Sequence, residues 1–200
     1  MWETMTNKIS FLMKSMSKEL GRSDLKISQI AAHCLSTLDR NNLHLNQTST
    51  DEAKEHLNYI DRACPKIKTE LIQNLRECNN KLCWRQPGFG RIPRKISRHM
   101  AVCEIIGPTG QIEHEKIRVG FLFQEAKVLY PRHSHAAEEI YLTLSGPSAW
   151  QKNDEKWRLH MAGDFIHHPS FHPHSIRTDQ APLLALWVWT GDIKPDSYQI

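Results

Sequence analysis

The sequence predicts an α+β protein, mainly β, with a helical N-terminal region over residues 1–98 and a C-terminal β-barrel or sandwich over residues 99–200. Three observations carry this reading. Before about residue 98, apolar residues recur at helical spacing. From Met100 onward, short apolar runs alternate with turn residues. Eight of the 12 histidines lie at or after His114, so the ligand-type side chains gather in the β half. A chain of 200 residues is long enough to bury a substantial core as one large domain, or as a domain with an appendage.

The helical half divides by its apolar faces. Ile9, Leu12, Met13, Met16 and Leu20 share one face of a first helix. Leu25, Ile27, Ile30, Ala31, Cys34, Leu35 and Leu38 form a second, with Ser23 as its expected N-cap. Ser49 and Glu52 have capping-box spacing ahead of Ala53, Leu57 and Ile60. Pro65 starts or separates the next helix, carried by Ile67, Leu71, Ile72, Leu75 and Cys78. "CWRQPGFGRIP" then reads as loop, because its prolines and glycines break any period. The β half follows as "AVCEII", "IRVGFLF", "EIYLTL", "SAWQK", "KWRLHM", "DFIHH", "HSIRT" and "LLALWVW". Gly107-Pro108-Thr109-Gly110 and Asn153-Asp154 mark turns. Many short strands at close spacing suit a sandwich or barrel.

Composition narrows the functional classes. Charged residues are 24% and apolar residues 40%, the balance of a folded soluble domain. A formal net charge of +4, scattered along the chain, gives no case for nucleic acid. No apolar run approaches the roughly 18 residues of a membrane helix. The N-terminus lacks a signal-peptide pattern, and the five cysteines have no CxxC spacing, so reduced thiols and a cytoplasmic location are expected.

The chemistry concentrates in "YPRHSHAAEEIYLTLSG", Tyr130 to Gly146. Side chains alternate along an extended chain, so His133 and His135 fall on one side. Glu139 and Tyr141 form the next such pair, and a bend at Ala136-Ala137 would bring both pairs to one centre. "GDFIHHPSFHPHSIRT" supplies a further imidazole in His174. Two imidazoles and a carboxylate suit a divalent first-row metal. An isolated HxH pair is more often simply exposed or hydrogen-bonded; the added Glu and distant His are what favour a metal. His167, His168 and His172 are expected to be non-ligands, with His172 lining the mouth of the site.

These motifs resemble the cupin family. HxH, three residues, Glu, six residues, Gly is matched by His133, His135, Glu139 and Gly146. Gly163, Pro169 and His174 match the second cupin motif. Lys127 and Phe171 stand where the two motifs have glycines, and Thr178 where the second closes on Asn. The resemblance implies a cupin β-barrel (double-stranded β-helix, or jelly roll) that binds one divalent transition metal: zinc, iron, manganese or nickel.

The run from Tyr130 to Gly146, with Trp150 and the two following segments, is further similar to the cupin dimethylsulfoniopropionate (DMSP) lyases, nearest the DddQ type. That resemblance covers about the C-terminal half. It implies cleavage of DMSP, a small-molecule substrate, to dimethyl sulfide and acrylate, with His135, Glu139 and His174 as metal ligands. It makes Tyr141 the catalytic base and Tyr130 its substrate-facing assistant. His133 is a ligand in some members and a close site residue in others. Tyrosine is also common in strands, and Tyr130 before Pro131 reads equally as a strand-edge residue. Trp187 and Trp189 share a strand face, where they would hold the sulfonium, pack in the core or lie on an outer sheet face. Trp84 and Phe89 would form part of a lid. Glu138 should face away from the site.

Two other classes fit the same ligand types: another metal cupin enzyme such as an iron dioxygenase, and a non-enzymatic cupin sensor. "ISQIAAHCLSTLDR" resembles a helix-turn-helix segment, but no turn glycine and basic recognition helix follow it. Neither nucleic acid nor membrane is expected as a partner; the resemblance allows a homodimer and leaves the oligomeric state open.

Overall fold

A computed structural model describes residues 2–38 and 58–200. Helices α1 (Trp2–Leu20), α2 (Lys26–Thr37), α3 (Tyr59–Ala63), α4 (Glu70–Cys78) and α5 (Arg94–Ser97) precede or flank the sheet strands. The strands are β1 (Trp84–Arg85), β2 (Met100–Ile106), β3 (Ile117–Gln124), β4 (Leu129–His133), β5 (Ala137–Thr143), β6 (Ser148–Lys152), β7 (Arg158–His160), β8 (Phe165–His168), β9 (His174–Thr178) and β10 (Leu183–Gly191). They form two antiparallel sheets, ordered β1-β2-β3-β10-β5-β8 and β4-β9-β6-β7. This is the cupin barrel expected from the motifs, with its helices at the N-terminal side.

The six-stranded sheet is buried on both faces, which explains why its strands read as unbroken apolar runs. Along β10, Leu184, Leu186 and Val188 join the helical layer, where Leu12, Met16, Leu20, Ile27, Leu35 and Leu75 lie. Leu183, Ala185, Trp187 and Trp189 point into the barrel with Val102, Leu122, Tyr141, Trp150 and Ile176. The two-residue period of a strand divides one sequence between two cores. The predicted face of α1 (Ile9, Leu12, Met13, Met16 and Leu20) is fully buried.

Several local expectations change. Ser23 does not cap α2: the N-cap is Leu25, and Ser23 Oγ instead accepts from the Leu25 N–H at 3.2 Å. Pro65 separates α3 from α4, but α4 starts only at Glu70. There Thr69 accepts from Ile72 N–H, a capping bond worth about 1 kcal/mol, and Ile67 lies before the helix. The Ser49–Glu52 capping box lies outside the described residues. The expected loop after Cys83 contains β1, which pairs Trp84 with Cys103 and Arg85 with Val102. Two residues between turn formers are too few to show a period.

The motif positions lacking glycine keep the glycine conformation. Lys127 has φ 62° and Phe171 φ 58°. Thr178, at the Asn position, accepts from the Val128 N–H through Oγ1 at 3.1 Å and so fastens the turn that Lys127 makes.

Candidate metal centre and active site

Strand register assembles the site. His133 on β4 is the cross-strand partner of His174 on β9. The chain then bends at Ala136, carrying His135 between them and Glu139 on β5. Across the larger sheet, one rung reads Arg118–Trp189–Glu139–His168, and the next reads Glu104–Gly120–Trp187–Tyr141–Ile166. His133, His135, Glu139, His168 and His174 are all at most 3% exposed. Glu138, one residue off the inward period, faces outward and meets His167 Nε2 at 2.7 Å, as expected.

Ligand nitrogens of His133, His135 and His174 lie within 4.8 Å of one another. Each ring is tethered through Nδ1 to a backbone carbonyl: His133 to Pro131 (2.8 Å), His135 to Ala137 (3.0 Å) and His174 to His172 (2.9 Å). A carbonyl only accepts, so Nδ1 carries the proton and Nε2 keeps its lone pair. That is the second-shell arrangement of metal-bound histidines. Glu139 Oε2 lies 3.2 Å from His135 Nε2 and 3.1 Å from His174 Nε2, and the latter pair is not aligned as a hydrogen bond. Lone pairs on two imidazoles facing a carboxylate oxygen repel unless a cation sits among them. The residues therefore fit a divalent metal.

The carboxylate is held from its other side. Trp189 donates its indole N–H to Glu139 Oε1 at 2.6 Å, and its ring lies 4.1 Å from that of His135. Burial alone would raise the Glu139 carboxyl; positive charge on His135 and then His174, whenever those rings are protonated, outweighs it and holds the group well below its usual range. Burial, and then His174, keeps His133 well below the usual imidazole range. Burial, and then Glu139, pushes the Tyr141 phenol well above 10.

A cavity opens onto these groups, lined by Tyr130, Glu139, Tyr141, Trp187, Trp189 and Tyr198, with Arg85 and Phe89 among the residues at its other wall. Both tryptophans thus face the site rather than an outer sheet face. Phe89 packs 5.9 Å from Trp189 and from Tyr198. Trp84 is no part of a lid: it is fully buried on the helical side, edge-on to Tyr59. Nor does His172 line this mouth. It contacts Asn153 and borders a separate basic cavity with Lys152, Arg158, His160 and His167.

Sequence reasoning missed three contributors. Tyr198 puts its hydroxyl 3.0 Å from that of Tyr130 and stacks on His133. The C-terminal segment carrying it is sewn to the β4–β5 bend, where Ser134 and Gln199 exchange backbone hydrogen bonds. Its polar neighbours give no signal. Arg85 was hidden in the supposed loop. His168 follows His167, and "HH" on a strand says that one ring points inward but not which.

A double-stranded β-helix with three tethered imidazoles inside is a cupin barrel whose buried histidines can hold a metal. Residues 26–185 match the dimethylsulfoniopropionate lyase family, and the chain belongs to that family. It is 36% identical over 123 residues to a protein of Cereibacter sphaeroides named as dimethylsulfoniopropionate lyase DddL, over 60% of this chain and 51% of that protein. To dimethylsulfoniopropionate lyase DddQ of Ruegeria pomeroyi it is 36% identical over 99 residues, 50% of this chain and 49% of that one. The match thus spans about half the length of these curated relatives. The crystal structure of DMSP lyase DddQ from Ruegeria pomeroyi superposes with a TM-score of 0.75 at 22% identity, covering 97% of this chain and 96% of that one. That likeness shows the fold extending through the helical half. No helix among the described residues is long and apolar enough to cross a membrane.

Proposed function

We propose that this chain is a metal-dependent lyase that cleaves DMSP to dimethyl sulfide and acrylate by β-elimination. The observation that carries the reading is Tyr141, a buried phenol two residues from Glu139 on the inner face of β5 and in the wall of the same cavity. Family membership supports the substrate.

His133, His135, Glu139 and His174 would hold the metal, which could be zinc, iron, manganese or nickel. When bound, it supplies a Lewis acid that stabilises charge developing on the substrate carboxylate and favours the ionised phenol. Tyr141 takes the proton from the carbon α to the carboxylate. The electron pair of that C–H bond becomes the new C=C bond, and the C–S bonding pair leaves with sulfur as neutral dimethyl sulfide. No general acid is needed for that leaving group. Tyr130 and Tyr198, sharing a hydrogen bond, fix the wall opposite. Aromatic faces of Trp187, Trp189 and Phe89 offer a site for the sulfonium, since such rings attract cations. The aromatic walls also exclude water from the reacting carbon.

Purified protein loaded with each metal in turn should release dimethyl sulfide into the headspace. Tyr141→Phe should lose about 10²- to 10⁴-fold in rate, the range for a general base, while metal content stays at the wild-type level. A metal-replete wild type that releases none would end this reading.

A further inference from the structure

Four histidines, not three, are packed into the barrel beside Glu139. His168 lies on the inner face of β8 as the cross-strand partner of Glu139 and is 0% exposed. Its ring stacks on His174 (centroids 4.0 Å apart, 14° between planes), lies 6.0 Å from Trp150 and stands edge-on to Tyr141 at 6.1 Å. Of these neighbours, His174 is a metal-ligand candidate and Tyr141 lines the site cavity.

His168 differs from the other three in one respect. Their Nδ1 atoms are tethered to backbone carbonyls. Both ring nitrogens of His168 are buried, and neither meets a hydrogen-bond partner among the described residues. Leaving a buried donor and acceptor unpaired costs stability, and an apolar side chain of like size would avoid that cost. An imidazole held there, untethered and stacked on a metal-ligand candidate, is accounted for by a partner that is not protein. An N–H donor calls for an oxygen acceptor. In the proposed reaction the carboxylate carbon is one C–C bond, about 1.5 Å, from the carbon that Tyr141 deprotonates, so the groups flanking Tyr141 are the ones that meet the carboxylate.

We propose that His168 contacts the substrate: its ring N–H donates to a carboxylate oxygen of the bound substrate or product. This rests on the proposed reaction above, which sets the carboxylate beside Tyr141; the binding test itself needs no turnover. The ligand class is a short monocarboxylate.

The test is acrylate binding to cobalt(II)-loaded protein, followed by the visible cobalt spectrum and by calorimetry. His168→Phe keeps a ring for the stack and removes both nitrogens. It should bind cobalt(II) at the wild-type stoichiometry and melt no lower than wild type when metal-free. Its acrylate affinity should be weaker by about ten- to a hundredfold, as expected for a lost hydrogen bond to a charged group. His168→Asn, which keeps an N–H donor, should recover part of that loss. His168→Leu serves if the Phe variant does not fold. Unchanged acrylate affinity in His168→Phe would overturn the proposal. So would a wild type that takes no acrylate, or loss of cobalt from the variant, which would make His168 a metal ligand instead. A wild type that binds acrylate through His168 yet releases no dimethyl sulfide would sink the lyase reading and leave this one standing.

Discussion

Replacing Trp189 with Phe removes a single hydrogen-bond donor from the outer shell of the metal centre and leaves an aromatic ring against His135. The donor is the indole N–H, 2.6 Å from Glu139 Oε1, with the tryptophan 6% and the glutamate 1% exposed. A hydrogen bond to a charged, buried acceptor is worth about 1.5–3 kcal/mol. Outer-shell partners of metal ligands typically cost about 10- to 100-fold in affinity when removed, or roughly 1.4–2.7 kcal/mol. The two ranges agree, so Trp189→Phe should weaken metal binding by about one to two orders of magnitude. Competition against a chromophoric chelator measures this directly. Trp187→Phe is the internal control: its Nε1 is buried without a hydrogen-bond partner among the described residues, so losing it should change the affinity less than about threefold on the same scale. If Trp189→Phe binds metal within twofold of wild type, or Trp187→Phe falls as far, the indole does not position Glu139 as argued.

Three further outcomes follow from the geometry. Removing metal with a chelator should lower the melting temperature, because a ligand at 100 times its Kd adds about 2.7 kcal/mol to the folded state; a calorimetric scan with and without chelator reads it. Gly120→Ala should destabilise the barrel by roughly 2 kcal/mol or more in urea unfolding, because its Cβ would be driven into the backbone carbonyl of Cys103. Lys127→Gly and Phe171→Gly should each raise stability slightly, by up to ~1 kcal/mol in the same assay. Left-handed backbone costs an ordinary residue about 1–2 kcal/mol, and the more flexible unfolded glycine returns part of that.

The candidate metal centre is largely legible because its spacing obeys simple periods. HxH puts His133 and His135 on one side, and the step to Glu139 and Tyr141 keeps the inward parity that Glu138 breaks. What pairing across strands decides was not legible. Nothing local to "FIHH" says that His168 lies opposite Glu139, and nothing in "LLALWVW" says which parity faces the helices. Both facts come from register, set by residues far away in sequence. The two motif positions without glycine show the converse. Composition argued against a left-handed turn there, and the surrounding barrel imposes one, with Thr178 fastening the turn at Lys127. Arg85 and Tyr198 reach the cavity from segments whose own composition is unremarkable for a site.

The double duty of β10 bears on how this protein can change. Leu184, Leu186 and Val188 complete the helical layer, while Leu183, Ala185, Trp187 and Trp189 enter the barrel, where the two tryptophans line the cavity. Point substitutions can therefore alter either side with little effect on the other. Inserting or deleting one residue in that strand is a different event. It would turn the tryptophans toward the helices and the leucines and valine toward the histidine cluster, exchanging both sets at once. Length variation in this family member should be confined to the turns flanking β10, while the strand itself admits substitution but not a change of length.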